Sequence, residues 1–180
     1  MRPTRDQWAL ALAMVTAQRS TCLRRQCGCV LLNARGHVLA TGYNGVAAGQ
    51  PHCNEGYEHK VYSVSTLPPH ARALYDNALS KSMSGAPQFP HACVGATAPS
   101  GTGLDSCQAI HAEQNALLQC RDAWAIDTCF VTASPCVTCI KLLLNTSCQR
   151  IVFAEQYPHG DSEKWWKNAG RVWEQLEVVA

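Results

Sequence analysis

Two short segments restrict this chain more than anything else in it: His111-Ala112-Glu113 and, further on, Pro135-Cys136-Val137-Thr138-Cys139. His111, Cys136 and Cys139 offer one imidazole and two thiolates, a donor set suited to tetrahedral zinc with one position left open. Glu113 follows the histidine by two residues, where its carboxyl can reach a water on the metal without being a ligand. Zinc lowers the pKa of such a water, and a carboxylate beside it can take up the proton and deliver it elsewhere. A lone C-x-x-C fits a structural zinc knuckle or a redox pair equally well, and a lone H-x-E says almost nothing. Both in this order, each opening an expected helix, are far more specific.

A chain of 180 residues is one domain of ordinary size, long enough to bury a core without disulfide staples. Its net charge of +2, with 16% charged residues, gives no basic field of the size nucleic acid demands. Eleven cysteines is an odd count. Cys27, Cys29 and Cys129 stand in apolar, strand-like runs and others have metal-ligand spacing, which favours a reducing compartment over a secreted disulfide framework. The basic start and the apolar run Trp8 to Val15 superficially resemble a signal peptide. Asp6 and Gln7 interrupt it, and Thr4 with Gln7 forms a capping box, so a helix from about Arg5 to Arg19 is expected instead. No run approaches the roughly 20 apolar residues of a membrane span.

Cys27 to Asn33 and His37 to Thr41 read as two strands joined by a turn at Ala34-Arg35-Gly36. Gly42-Tyr43-Asn44-Gly45 is a glycine-bracketed loop, either an ordinary turn or one that brings Asn44 to a ligand. From about 47 to 106 proline and glycine punctuate the chain, and we expect an insertion in a single 1–180 domain, with one helix from about His70 to Met83. Further on, helices are expected over Ala109–Asp122, Cys136–Asn145 and Ser162–Gly170, and strands over Thr128–Thr132, Arg150–Ala154 and Leu176–Val179. Strands alternating with helices imply α/β layers around a partly parallel sheet, with the ligand site at the carboxyl ends of strands. Both metal-bearing segments fall at helix N-termini, which favours thiolate at Cys136.

The pattern H-x-E followed by P-C-x-x-C is the signature of zinc nucleobase deaminases. More closely, the chain resembles the deoxycytidylate (dCMP) deaminases, phage-type, of the cytidine deaminase-like superfamily. The matching pieces are Ser20-Thr21-Cys22, Gly42-Tyr43-Asn44-Gly45, Ala48-Gly49 before Cys53, His111-Ala112-Glu113-Gln114-Asn115-Ala116, and Val131-Thr132-Ala133-Ser134-Pro135-Cys136. Arg150-Ile151-Val152-Phe153 and Tyr157 continue the match. The Gly42 to Gly45 loop combined with H-A-E-x-N-A points to the monophosphate branch.

This resemblance implies a three-layer α/β/α fold, a mixed five-stranded sheet with helices on both faces, assembled as a homohexamer. It implies hydrolysis of dCMP to dUMP and ammonia, feeding thymidylate synthesis in the cytoplasm of a bacterium or a phage-infected host. Regulation by dCTP and dTTP, bound with Mg2+, belongs to the same picture. So does action on 5-substituted dCMP, which the sequence leaves open. Carried over residue by residue, Glu113 is the catalytic acid–base and His111, Cys136 and Cys139 are the zinc ligands. Asn44 would bond the deoxyribose, Asn115 the sugar or phosphate, the Ala112 N–H the base carbonyl, and Tyr157 would lie over the base or sugar. Arg24 and Arg25 fall where a phosphate clamp belongs, because guanidinium grips phosphate bidentately; a solvated pair after the first helix is the alternative. Related phage enzymes use cysteines such as Cys22 and Cys53 for a second, structural zinc, which His91 and Cys107 would complete here, with Cys93 as the rival. Such a metal would anchor a proline- and glycine-rich excursion that has little apolar surface of its own.

There are departures. The stretch between Cys53 and His111 is long, and Asp122 stands where the family often carries a basic residue, which leaves allosteric control open. Other deaminase branches, acting on free cytidine, guanine or adenosine in tRNA, compete with this reading. The small net charge speaks against the last of these, since phosphate contacts dominate RNA affinity. A non-enzymatic zinc-stabilised module is the alternative of another class. Glu113 separates it, because a structural site has no use for an acid beside its open position.

Overall fold

The structure, a computed structural model, describes residues 2–50, 52–53, 102, 107–158 and 160–177. The helix expected over 70–83, most of the expected insertion, and His91 and Cys93 lie outside the described residues.

Helix α1 spans Arg5–Ala17 and opens on the capping box read from sequence. The Thr4 hydroxyl accepts the Gln7 N–H at 3.2 Å, and the Gln7 side chain accepts the Thr4 N–H at 2.9 Å. The helix stops two residues before Arg19, and the chain leaves it in a turn. Strand β1 (Gly28–Leu32) is buried along its whole length. It pairs antiparallel with β2 (Val38–Tyr43) across a turn in which Gly36 takes φ 82°, a conformation glycine adopts without penalty. On its other side β1 pairs antiparallel with β5 (Thr128–Ala133), and β6 (Arg150–Glu155) and β7 (Val172–Gln175) follow in parallel. The strand order is β2-β1-β5-β6-β7.

Because successive strand residues face opposite sides, this mixed sheet has two apolar faces. Val30, Leu32, Phe130 and Val152 pack under Ala9, Leu10 and Ala13 of α1. Cys29, Leu31, Cys129, Val131, Ile151 and Phe153 face α2 (Ala112–Gln119), α3 (Val137–Leu144) and α4 (Gly160–Asn168). The result is the expected α/β/α layering over a mixed five-stranded sheet. Arg150 on β6 ties distant parts together: its guanidinium meets Asp6 of α1 and Glu174 of β7, each at 2.7 Å. Among the described residues no helix is long and apolar enough to cross a membrane.

Three expectations need correction. Ala109 and Ile110 are not helical; they form β4, paired antiparallel with Gly45–Val46 (β3), so α2 begins only at Ala112 and ends at Gln119. A pairing between segments so far apart in sequence overrides local helix preference. Asp122 does not end α2 but caps a 3₁₀ turn, Ala123–Ala125, through Trp124 N–H at 2.9 Å. The last strand among the described residues is Val172–Gln175, and Leu176 and Glu177 lie outside it, because parallel pairing to β6 sets its register and Trp173 packs on Phe153 with ring centroids 5.0 Å apart; the rest of the expected strand lies outside the described residues.

Candidate metal centre and its cavity

The chain places both halves of the donor set at helix starts beside the carboxyl ends of strands. β5 runs out through Ser134 and Pro135 into Cys136, the N-cap of α3, and Cys139 lies one turn further on. His111 is the N-cap of α2, its backbone N–H held by the Gln114 side chain at 2.9 Å. Helix α2 reaches the sheet because Gly42 of β2 has no side chain; a Cβ there would strike the Ala112 carbonyl and the Ala116 amide. Asn115 secures the same contact, donating to Tyr43 C=O at 2.7 Å and Ile110 C=O at 3.5 Å.

The outcome is one tight cluster. His111 Nδ1 stands 3.4 Å from the sulfur of Cys136 and 3.4 Å from that of Cys139. The three donor atoms lie within 4.8 Å of one another, the one such cluster of three or more among the described residues. Both thiols are buried and neither is in a disulfide. The hydrogen bond from Cys139 holds the Cys136 thiol down at about 4, with His111 helping and burial opposing. Cys139 is pushed the other way by the same partnership, and by burial. The hydrogen bond with Cys136 also raises the His111 pKa. One imidazole, one thiolate and one thiol that a cation would deprotonate fit three corners of a tetrahedral zinc site.

Glu113 sits beside this cluster with 5% of its surface exposed, and burial raises its pKa above the usual carboxylate value. A carboxyl so placed exchanges protons more readily near neutral pH than an exposed one. His111, Cys136 and Glu113 line one cavity, whose wall also includes Asn44, Ala112, Arg24, Arg25 and Tyr157. Ala112 is the first residue of α2, where a backbone N–H has no intrahelical acceptor. At the rim Arg25 reaches Glu155 at 3.1 Å and lies over the Tyr157 ring, 5.9 Å from its centroid, while Arg24 donates to Thr102 C=O at 2.9 Å.

Most of the residues singled out from sequence are thus gathered in one place, with two qualifications of role. Asn115 is not among the cavity-lining residues, and its amide N–H groups go to backbone carbonyls. Asn44 lines the cavity but spends most of its side chain on its neighbours, accepting Cys27 N–H at 2.7 Å and donating to Arg25 C=O at 2.8 Å. Of the expected second site, Cys22 and Cys107 line the cavity and Cys53 is buried. Four wall residues carried no assignment from sequence: Cys27, Ala109, Ala133 and Ser134. Cys27 looked like strand interior, yet it ends the loop before β1. Ser134 was in plain view beside Pro135 and Cys136; its hydroxyl accepts Tyr157 N–H at 2.7 Å and its N–H goes to Glu155 C=O at 2.9 Å, joining the metal loop to the rim.

Residues 3–155 match the family model described as the cytidine and deoxycytidylate deaminase zinc-binding region. This chain belongs to that family. A deoxycytidylate deaminase of Mycobacterium phage D29 is 33% identical over 156 residues, covering 86% of this chain and 98% of the phage protein. A deoxycytidylate deaminase of Schizosaccharomyces pombe is 30% identical over 163 residues; the match covers 87% of this chain but only 38% of the yeast protein. Among solved structures, the dCMP deaminase of cyanophage S-TIM5 in complex with dCMP and dUMP superposes with a TM-score of 0.62, over 98% of this chain and 99% of that one. At 21% identity that likeness speaks for a shared fold. Zinc binding is therefore a property of the family, and the donor cluster of this chain suits it.

Proposed function

We propose that this chain hydrolyses dCMP to dUMP and ammonia. The observation that carries the reading is a buried carboxyl, Glu113, lining one cavity with His111 and Cys136 of the three-donor cluster. The names of the phage and yeast relatives support dCMP as substrate. When held by His111, Cys136 and Cys139, zinc supplies the Lewis acidity that makes water nucleophilic near neutral pH. Glu113 would take one proton from the attacking water and pass it to the ring nitrogen next to the amino-bearing carbon; it would then take the second from the hydroxyl newly bonded to that carbon and give it to the amine, which leaves as ammonia while the carbonyl forms. The Ala112 N–H receives the base carbonyl, Tyr157 covers the base or sugar, and Asn44 offers the sugar what remains of its amide. Arg24 and Arg25 at the rim take the phosphate. Asn115 serves the sugar and phosphate by fixing α2 against β2 and β4.

A panel of dCMP, CMP, cytidine, dCTP and 5-methyl-dCMP, followed by ammonia release with and without dCTP, tests this. Preference for dCMP is expected; equal efficiency on cytidine would move the chain to the free-nucleoside branch. The same assay with dCTP, dTTP and Mg2+ reads out effector control, and sedimentation reads out the homohexamer that belongs to this reading. A chain rich in thiols suits a reducing cytoplasm, of a bacterium or an infected host. The second zinc remains part of the proposal, on Cys22, Cys53, His91 and Cys107, with Cys93 the rival. Elemental analysis of protein purified without added zinc should give two metals per chain, falling to one in Cys22→Ala; one metal in the intact protein would remove this site.

A further inference from the structure

The segment between α1 and β1, which brings Arg24 and Arg25 to the cavity, forms no helix or strand of its own. Two polar residues at its start and end close it instead. Ser20, only 3% exposed, donates its hydroxyl to Asn44 C=O at 2.7 Å, accepts Cys22 N–H at 3.2 Å, and through its carbonyl accepts the Gln26 side-chain amide at 2.8 Å. Asn44, at the end of β2, fastens the far end by three bonds: its Oδ1 accepts Cys27 N–H, its Nδ2 donates to Arg25 C=O, and its backbone N–H donates to Cys27 C=O at 3.1 Å. Both ends of the segment are thereby tied to one buried asparagine. Neither Ser20 nor Gln26 is among the cavity-lining residues.

We infer that Ser20 and Gln26 are positioning residues for the substrate's phosphate: by closing this loop onto Asn44 they hold the backbone of Arg24 and Arg25 at the rim. The inference rests on the dCMP reading above. An arginine side chain is long and mobile, and it grips phosphate bidentately only when its backbone offers one starting point. Holding the loop before substrate arrives lowers the ordering cost of binding. Residues that touch no substrate would then set how strongly a nucleotide is preferred over its nucleoside. The chemistry at Glu113 would not feel their loss.

The test compares kcat and KM for dCMP and for cytidine in the parent chain, Ser20→Ala, Ser20→Thr and Gln26→Ala, with zinc content and thermal midpoint measured alongside. Ser20→Ala should raise KM for dCMP about tenfold, as loss of one buried hydrogen-bonding group does, with kcat and all cytidine parameters unchanged. Gln26→Ala should shift KM for dCMP in the same direction but less, and Ser20→Thr should restore the parent value. Equal losses on both substrates would mean the bonds only support the fold, and no change in the dCMP-to-cytidine ratio would mean the arginines need no brace; either overturns the inference. Should Ser20→Ala be recovered unfolded, Gln26→Ala decides alone, since it removes one part-buried bond. A parent chain that prefers dCMP but shows an unmoved ratio refutes the brace alone, whereas a parent that releases no ammonia from dCMP refutes both readings.

Discussion

The floor of the cavity and its rim are built on opposite principles. On the floor, Cys136 is 4% and Glu113 5% exposed, and the donors hang from helix starts pressed onto the sheet. At the rim, the Arg25 and Glu155 side chains are 32% and 70% exposed, and their contact is an ion pair open to water. Displacement on the floor has to move backbone, as Gly42 under α2 illustrates. At the rim a side-chain rotation is enough. Rigidity is thus concentrated around the metal donors and Glu113, and adaptability at the rim.

The largest break in this comparison should come from Glu113→Gln, which is expected to keep zinc and fold while losing about 10² to 10⁴-fold in turnover, the usual worth of a positioned proton carrier. Wild-type turnover of dCMP by this variant would remove Glu113 from the mechanism. Next is Gly42→Ala. The added methyl meets backbone on α2, so the helix must shift, and a misplacement of about 1 Å can cost on the order of 10²-fold in rate. Circular dichroism and zinc content separate that displacement from simple unfolding. On the rim the effects should be smaller and selective. Arg25→Ala is expected to lower kcat/KM for dCMP by about tenfold, in the range of one charge-assisted hydrogen bond, and to leave cytidine alone. A matching loss on cytidine would show that the rim is no more adaptable than the floor. Least of all, Glu155→Gln should change stability by under about 1 kcal/mol in urea unfolding, because an exposed ion pair is worth little.

How legible each part was in the sequence follows the same division. The donors could be read because few residue types bind zinc and their spacing leaves few folds. The capping box at Thr4 and Gln7, the strand at Gly28–Leu32 and the one at Thr128–Ala133 announced themselves by local chemistry alone. Ala109–Ile110 did not, since its strand identity depends on Gly45–Val46, far away along the chain. Val172–Gln175 is a half-exposed edge strand carrying Glu174 and Gln175, so the more apolar Leu176–Val179 looked the better candidate. The bracing duties of Asn44, Asn115 and Ser134 were hidden for a related reason: an amide or hydroxyl shows its partner only once the backbone around it is folded.

The meeting of Asp6, Arg150 and Glu174 on one guanidinium also has a meaning in time. During synthesis α1 emerges early, but Phe130 and Val152, which it must cover, and Glu174, which completes its ion network, are made far later. Until then its apolar face has only β1 and β2 to rest on. Contacts of such long sequence separation slow folding. The central sheet of this chain therefore closes as a late event of translation, and the apolar face of the nascent first helix waits until then for its full cover.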